Sequence, residues 1–259
     1  MKFLETSFKK FLSRVWDSVP IEIGICMWYY WFIDYWYIVL VLPAILLGLI
    51  AQIGVNVTYS KYSKVANARG MTADEVARRI LDSNGLHDVA INRVGGELTD
   101  HYDPRSRTVN LSQSVYGNTS VAAIGVAAHE VGHAIQHSKN YVPMRVRSAI
   151  IPVTNIGSTI SPIVILLGFL FSYEPLIYFG IGLYSLVALF QLVTLPVEFN
   201  ASRRALVTLE HDGILSNAEN AGARKVLTAA AMTYVAALVV TLMHILRLIL
   251  IFGGGRRRN

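Results

Sequence analysis

The stretch VAAIGVAAHEVGHAIQHSKN, residues 121–140, sets histidines at 129, 133 and 137 and places Glu130 directly after the first of them. Ahead of His129 the residues are apolar or small on every helical face, which predicts a buried helix rather than a solvated one. A spacing of four puts His129 and His133 one turn apart. Both imidazoles therefore leave the same face and can take two corners of a tetrahedral zinc site. Glu130 lies about 100° further around the helix, within reach of a water at the metal without being a ligand. In this H-E-x-x-H arrangement zinc lowers the pKa of water and polarises a peptide carbonyl, while the glutamate takes the proton.

Two histidines leave the metal short of a third protein ligand, and the chain offers His137, Glu198 and the acids near Asp212. His137 is two turns beyond His129, ~12 Å along a straight axis, so one ion cannot span all three histidines. Longer zinc motifs turn the chain at a glycine after the second histidine, and HAIQHSKN has none. His137 is thus read as a surface or supporting residue. Glu198 directly follows an apolar run and Pro196, where a carboxylate near lipid is costly without a partner. A bound cation would supply that partner; so would Arg203 or Arg204.

Composition sets the frame for this site. Of the 259 residues, 53% are hydrophobic and 15% charged, and the mean hydropathy is +0.44, the balance of a membrane protein. Apolar runs near 36–58, 148–172, 173–197 and 226–252 are each long enough to cross ~30 Å of hydrocarbon as a helix. The resulting organisation is an interfacial segment over 1–35, the first span, a catalytic domain over 59–147, and two spans joined by the tight SYEP turn. A ligand-bearing helix and loop over 198–225, the last span and a basic tail over 253–259 complete it.

The fold class expected is a polytopic α-helical membrane protein with about four transmembrane helices and a small α+β domain. Within that domain, Thr72 and Glu75 have capping-box spacing ahead of a short amphipathic helix ending at Asn84 and Gly85. Next, DVAINRV alternates as a strand, and DHYDPRSRTVNLS reads as a β-hairpin around DPRS. Asn110 and Leu111 on the second hairpin strand are candidates to present backbone to an extended peptide substrate. His211 is a candidate donor to a developing oxyanion. Arg247, inside the last span, is read as reaching toward Glu174 in the tight turn on the same side.

Residues 2–16 segregate Phe3, Leu4, Phe8, Phe11 and Trp16 from Lys2, Lys9, Lys10 and Arg14, the pattern of a helix lying in the membrane interface. The net charge of +6 is spread along the chain, with no block suited to nucleic acid. A single cysteine, Cys26, allows no intramolecular disulfide.

The segments SKYSKVANARGMTADEVARRIL, DHYDPRSRTVNLS, SVAAIGVAAHEVGHAIQ, QLVTLPVEFNASRRAL and RKVLTAAAMTYVAA together resemble the YugP-like neutral zinc metallopeptidase family. These are membrane gluzincins related to the HtpX-like peptidases, and the likeness runs from about residue 57 through the last span. The resemblance implies one zinc ion held by His129, His133 and Glu198, with Glu130 as catalytic base in a gluzincin-like domain. HtpX-like relatives carry an aspartate four residues after the ligand glutamate; here that position is Ser202, a candidate to orient a ligating histidine.

The implied function is a zinc metalloendopeptidase of the bacterial plasma membrane, cutting membrane or juxtamembrane protein substrates. Near the span ends, ten basic residues lie on the catalytic side, from Lys61 to Lys225, against six on the other, a bias that favours a cytoplasmic catalytic domain. Two rival readings are a site-2-type intramembrane protease using Asp212 in HDGIL, and a non-enzymatic scaffold with structural zinc. Coordination separates the last from an enzyme: an open position favours catalysis, a fourth protein ligand favours structure. Oligomeric state is not legible in the sequence.

Overall fold

A computed structural model describes residues 34–253. The amphipathic helix expected in the N-terminal segment, Cys26 and the basic tail beyond Gly253 lie outside the described residues. The described chain is mostly helical. Helix α1 spans Tyr37–Tyr62, its first five residues in π-helical form, and is followed by α2 at Ala73–Ser83. Strands β1 (Ala90–Val94), β2 (His101–Asp103) and β3 (Thr108–Ser112) precede α3 at Val121–Ser138. Three long helices close the chain: α4 (Val142–Leu170), α5 (Glu174–His211) and α6 (Asn217–Gly253).

Four of these helices, α1, α4, α5 and α6, are long and apolar enough to cross a membrane. Their outward faces carry Ile50, Ile53, Ile156, Ile163, Phe179 and Leu192, all at least half exposed. An apolar surface that extensive would aggregate in water, so it is a surface made for lipid. Helices α4 and α5 form an antiparallel hairpin over the turn at Phe171–Tyr173, and α6 packs against both α5 and α1.

The small domain forms as its local signals dictate. Thr72 and Glu75 make the full capping box of α2, whose Ala73, Val76, Ala77, Ile80 and Leu81 are buried at helical spacing. The hairpin turn is held by Asp103, which accepts from the Arg105 N–H at 2.9 Å and the Ser106 hydroxyl at 2.7 Å. β2 pairs antiparallel with β3 from His101↔Asn110 to Asp103↔Thr108, and β1 pairs parallel with β3 along its whole length. The order is therefore β1-β3-β2, with β3 in the centre.

Helix α3, the His-bearing helix, is tied to the end of the first span. The Val121 N–H donates to the Val65 carbonyl at 2.8 Å, and Ser120 caps the helix through the Ala123 N–H. Its small residues let neighbouring helices approach closely. A Cβ on Gly132 would lie 2.7 Å from the Ala201 carbonyl oxygen of α5, and one on Gly125 would meet the Ala223 side chain of α6 at 3.3 Å.

Arg247 does not reach toward Glu174. Its Nε donates to Asp34 Oδ2 at 2.6 Å, and its guanidinium lies 5.4 Å from the centre of the Tyr37 ring. The reason is packing: α6 runs beside α1, which brings the start of the first helix, not the α4–α5 turn, against Arg247. Asp34 also accepts from the Tyr37 N–H at 2.9 Å, so one carboxylate both caps α1 and pairs the cation.

The contact at Gly132 predicts that Gly132→Ala destabilises the protein by about 1–3 kcal/mol through overpacking. Gly182, with nothing within 4 Å of an added Cβ, provides the control. Gly182→Ala should be neutral or stabilising by up to ~1 kcal/mol. Thermal unfolding of both variants in detergent checks the difference.

Candidate metal centre

His129 and His133 project from one face of α3 toward α5, where Glu198 stands two residues after Pro196. Glu198 Oε2 lies 3.3 Å from His129 Nε2 and 3.7 Å from His133 Nε2. Among the described residues, these three form the one cluster of metal-capable side chains, their ligand atoms all within 4.8 Å of one another. Ligands bound tetrahedrally at the usual zinc distances are separated by roughly 3.3 Å, so this donor set fits a zinc ion. All three side chains are buried or nearly so, Glu198 at 4% exposure.

Each ligand candidate is held from behind. His133 Nδ1 faces the side-chain oxygen of Gln136 at 3.0 Å, which turns Nε2 to the cluster. Gln136 is fully buried, and its amide donates to the Val197 carbonyl at 2.8 Å and to Asn200 Oδ1 at 3.0 Å. Asn200 in turn accepts from Arg204 Nε at 2.7 Å. His129 Nδ1 faces the Ser202 hydroxyl at 3.1 Å. Glu198 is held through its other oxygen, with Arg147 Nη1 of α4 at 3.4 Å from Oε1.

Glu130 is 8% exposed and makes no hydrogen bond or ion pair among the described residues. A buried carboxylate left without a local donor is available to a ligand of the cluster. Burial works against charge on His133, but Glu198 and Glu130 outweigh it and hold the imidazole's pKa above its ordinary value. A cation entering the cluster would take over that role and displace the proton.

The remaining sequence candidates fall elsewhere. His137 turns away and meets the Tyr102 hydroxyl at 2.8 Å, which fastens the end of α3 to the sheet. His211 and Asp212 end α5 thirteen and fourteen residues after Glu198, roughly 20 Å along the helix. His211 is exposed and pairs with Asp212 at 3.0 Å. Neither residue can act at this cluster, which removes His211 as an oxyanion donor and Asp212 as a ligand. Asn110 and Leu111 are buried on the central strand, whose backbone already pairs on both sides. An extended peptide cannot add there; the strand with a free side next to α3 is β2.

Sequence reading had not singled out Gln136 or Asn200. Gln136 was legible in principle, because it follows His133 by three residues and so lies on the same helical face. In the sequence Arg147 is one of the ten basic residues near span ends, with nothing to mark it as a partner of Glu198.

With this geometry established, comparison with known proteins decides the relationship. A family described as "Putative neutral zinc metallopeptidase" matches residues 37–253. The chain belongs to this family. It is also 49% identical over 223 residues to "Putative membrane protease YugP" of Bacillus subtilis (strain 168), covering 86% of this chain and 99% of that protein. No solved structure matches the chain. The matched region spans α1 through α6, including every residue of the metal cluster.

Gln136→Leu keeps the volume of the side chain but removes the partner of His133 Nδ1. Zinc affinity, measured by competition with a chromophoric chelator, should fall roughly 10–100-fold. Glu198→Ala should lower the zinc content itself, read by elemental analysis of the purified protein.

Proposed function

We propose that the chain is a membrane zinc metalloendopeptidase that hydrolyses peptide bonds of membrane or juxtamembrane protein substrates. The observation that carries this is the convergence of His129, His133 and Glu198 beside an unencumbered, buried Glu130. These three residues would hold one zinc ion, whose contribution when bound is to lower the pKa of water and polarise the scissile carbonyl.

Glu130 would take the proton of the attacking water and pass it to the leaving amine, the task of a general base that becomes a general acid. Ser202 and Gln136 would keep the two imidazoles in one tautomer, and Arg147 would hold the Glu198 carboxylate by the oxygen not facing the histidines. Tyr234 of α6 shares the electrostatic surroundings of Glu198, Arg147 and Glu130. Its phenol would be a candidate donor to a developing oxyanion.

A catalytic rather than a structural centre is supported by the absence of a fourth protein ligand among the described residues, since His137 is engaged by Tyr102. A site-2-type mechanism is disfavoured because α3 is not one of the apolar helices able to cross a membrane. The position of the cluster supports this substrate class. Glu198 is the twenty-fifth residue of α5, roughly 36 Å along a helix whose first ~30 Å would fill the hydrocarbon. Peptide bonds at or just outside the bilayer surface are therefore the ones within reach. Basic residues near the span ends on this side favour the cytoplasmic face.

Glu130→Gln is expected to retain zinc while cleavage of a membrane protein substrate falls by at least roughly 10²–10⁴-fold. Cleavage at the wild-type rate by a zinc-loaded variant would sink the mechanism. Orientation is tested separately, with a cysteine at position 105, 106 or 107 in a Cys26→Ser background. An impermeant maleimide should label it only after the membrane is opened.

A further inference from the structure

The catalytic-domain ends of α1 and α6 border a cleft of about 510 Å³ that has no part in the metal centre. From α1 it is lined by Val57, Thr58 and Lys61, and from α6 by Arg224, Lys225 and Thr228. Three cationic side chains and two threonines thus border one small volume. Lys61, Arg224 and Lys225 are exposed, and the Lys and Arg ion pairs among the described residues involve other cations: Arg78, Arg107, Arg147 and Arg247. Glu219, five residues before Arg224, does not compensate them. Its two oxygens accept from the Ala68 N–H at 2.6 Å and the Ser216 N–H at 2.7 Å.

The walls of the cleft are firmly seated. The Tyr62 ring fills the place where a Cβ on Gly222 would sit, 2.7 Å away, and Lys61 Nζ lies 5.7 Å from the centre of that ring. From Lys61 an apolar stripe runs back along α1 through Val57, Ile53 and Ile50, on one helical face and 60–67% exposed. Cations at the end of a span would meet a phosphate at headgroup level, and the stripe below them would meet hydrocarbon.

We infer that this cleft binds the phosphate headgroup of an anionic glycerophospholipid whose acyl chain lies along Ile50, Ile53 and Val57. The inference rests on α1 and α6 being membrane spans and is independent of the peptidase reading. Charge complementarity selects an anion, and the contiguous apolar stripe selects a lipid over a soluble phosphate ester. A zwitterionic lipid would bring its own cation against Lys61, Arg224 and Lys225 and lose most of the attraction.

Native mass spectrometry tests this with the full chain in detergent containing equal amounts of phosphatidylglycerol and phosphatidylcholine. Wild type should retain phosphatidylglycerol preferentially. The triple variant K61Q/R224Q/K225Q should retain it roughly 100-fold more weakly. K139Q/R145Q/R203Q, the same loss of charge at other exposed positions, should retain it as wild type does. If the first triple variant does not give a native circular dichroism spectrum, the three single variants serve, each expected to be several-fold weaker. Equal retention of the two lipids, or an equal loss in both triple variants, would overturn the site. So would displacement of the lipid by water-soluble glycerol 3-phosphate at matched concentration. None of these readouts depends on proteolysis, so a failure here and a failure of the enzymatic reading are distinguishable.

Discussion

The metal cluster exists only because a helix of the small domain lies backbone to backbone against a helix that continues out of the apolar layer. That approach is set at Gly132, between the two histidines, where any Cβ would collide with the Ala201 carbonyl. Ordinary helix pairs keep their axes 8–10 Å apart, and small residues at the crossing allow the near end of that range. The imidazoles of α3 span the gap to Glu198, and the Gln136 side chain reaches the backbone of α5. A larger residue at 132 would separate the donor atoms and the supporting hydrogen bonds together.

This packing also governs the cost of the buried polar groups. A carboxylate at 4% exposure cannot remain charged without partners, and here two imidazoles and one guanidinium converge on it. Those partners come from α3 and α4, so the cluster ties the small domain to two of the membrane-type helices. At the far end of the helices a second buried pair, Asp34 with Arg247, joins the first to the last.

How much of this was legible in advance varies with the range of the interaction. The capping box at Thr72 and Glu75, the DPRS turn and the burial of residues 121–125, 127 and 128 follow from local rules, and each is present in the fold, with Val126 only partly buried. Ser202 is a candidate only through the family resemblance, and its hydroxyl lies 3.1 Å from His129 Nδ1. Gln136 went unmarked although it stands in the motif, because a glutamine carries no signature until its acceptor is known. Arg247 was matched to the wrong carboxylate, since sequence shows which acids share its side of the apolar layer but not which helix lies beside it. Asn110 and Leu111 look like a substrate edge in the sequence because a hairpin pattern does not reveal the parallel strand that covers its other side.

By itself the sequence determined the chemistry on offer: two histidines on one helical face, a glutamate beside them, and four helices apolar enough for a membrane. These depend on helical periodicity, apolar run length and ligand chemistry, all written within a few turns of chain. Tertiary structure alone decided which distant groups complete the site. It seated Glu198 between His129 and His133, set Gln136 and Arg147 behind them, and moved His211 and Asp212 some 20 Å away along a continuous helix. The physical reason is that a ligand set is selected by distances of a few ångströms, and such distances between segments far apart in sequence are fixed only when the helices pack.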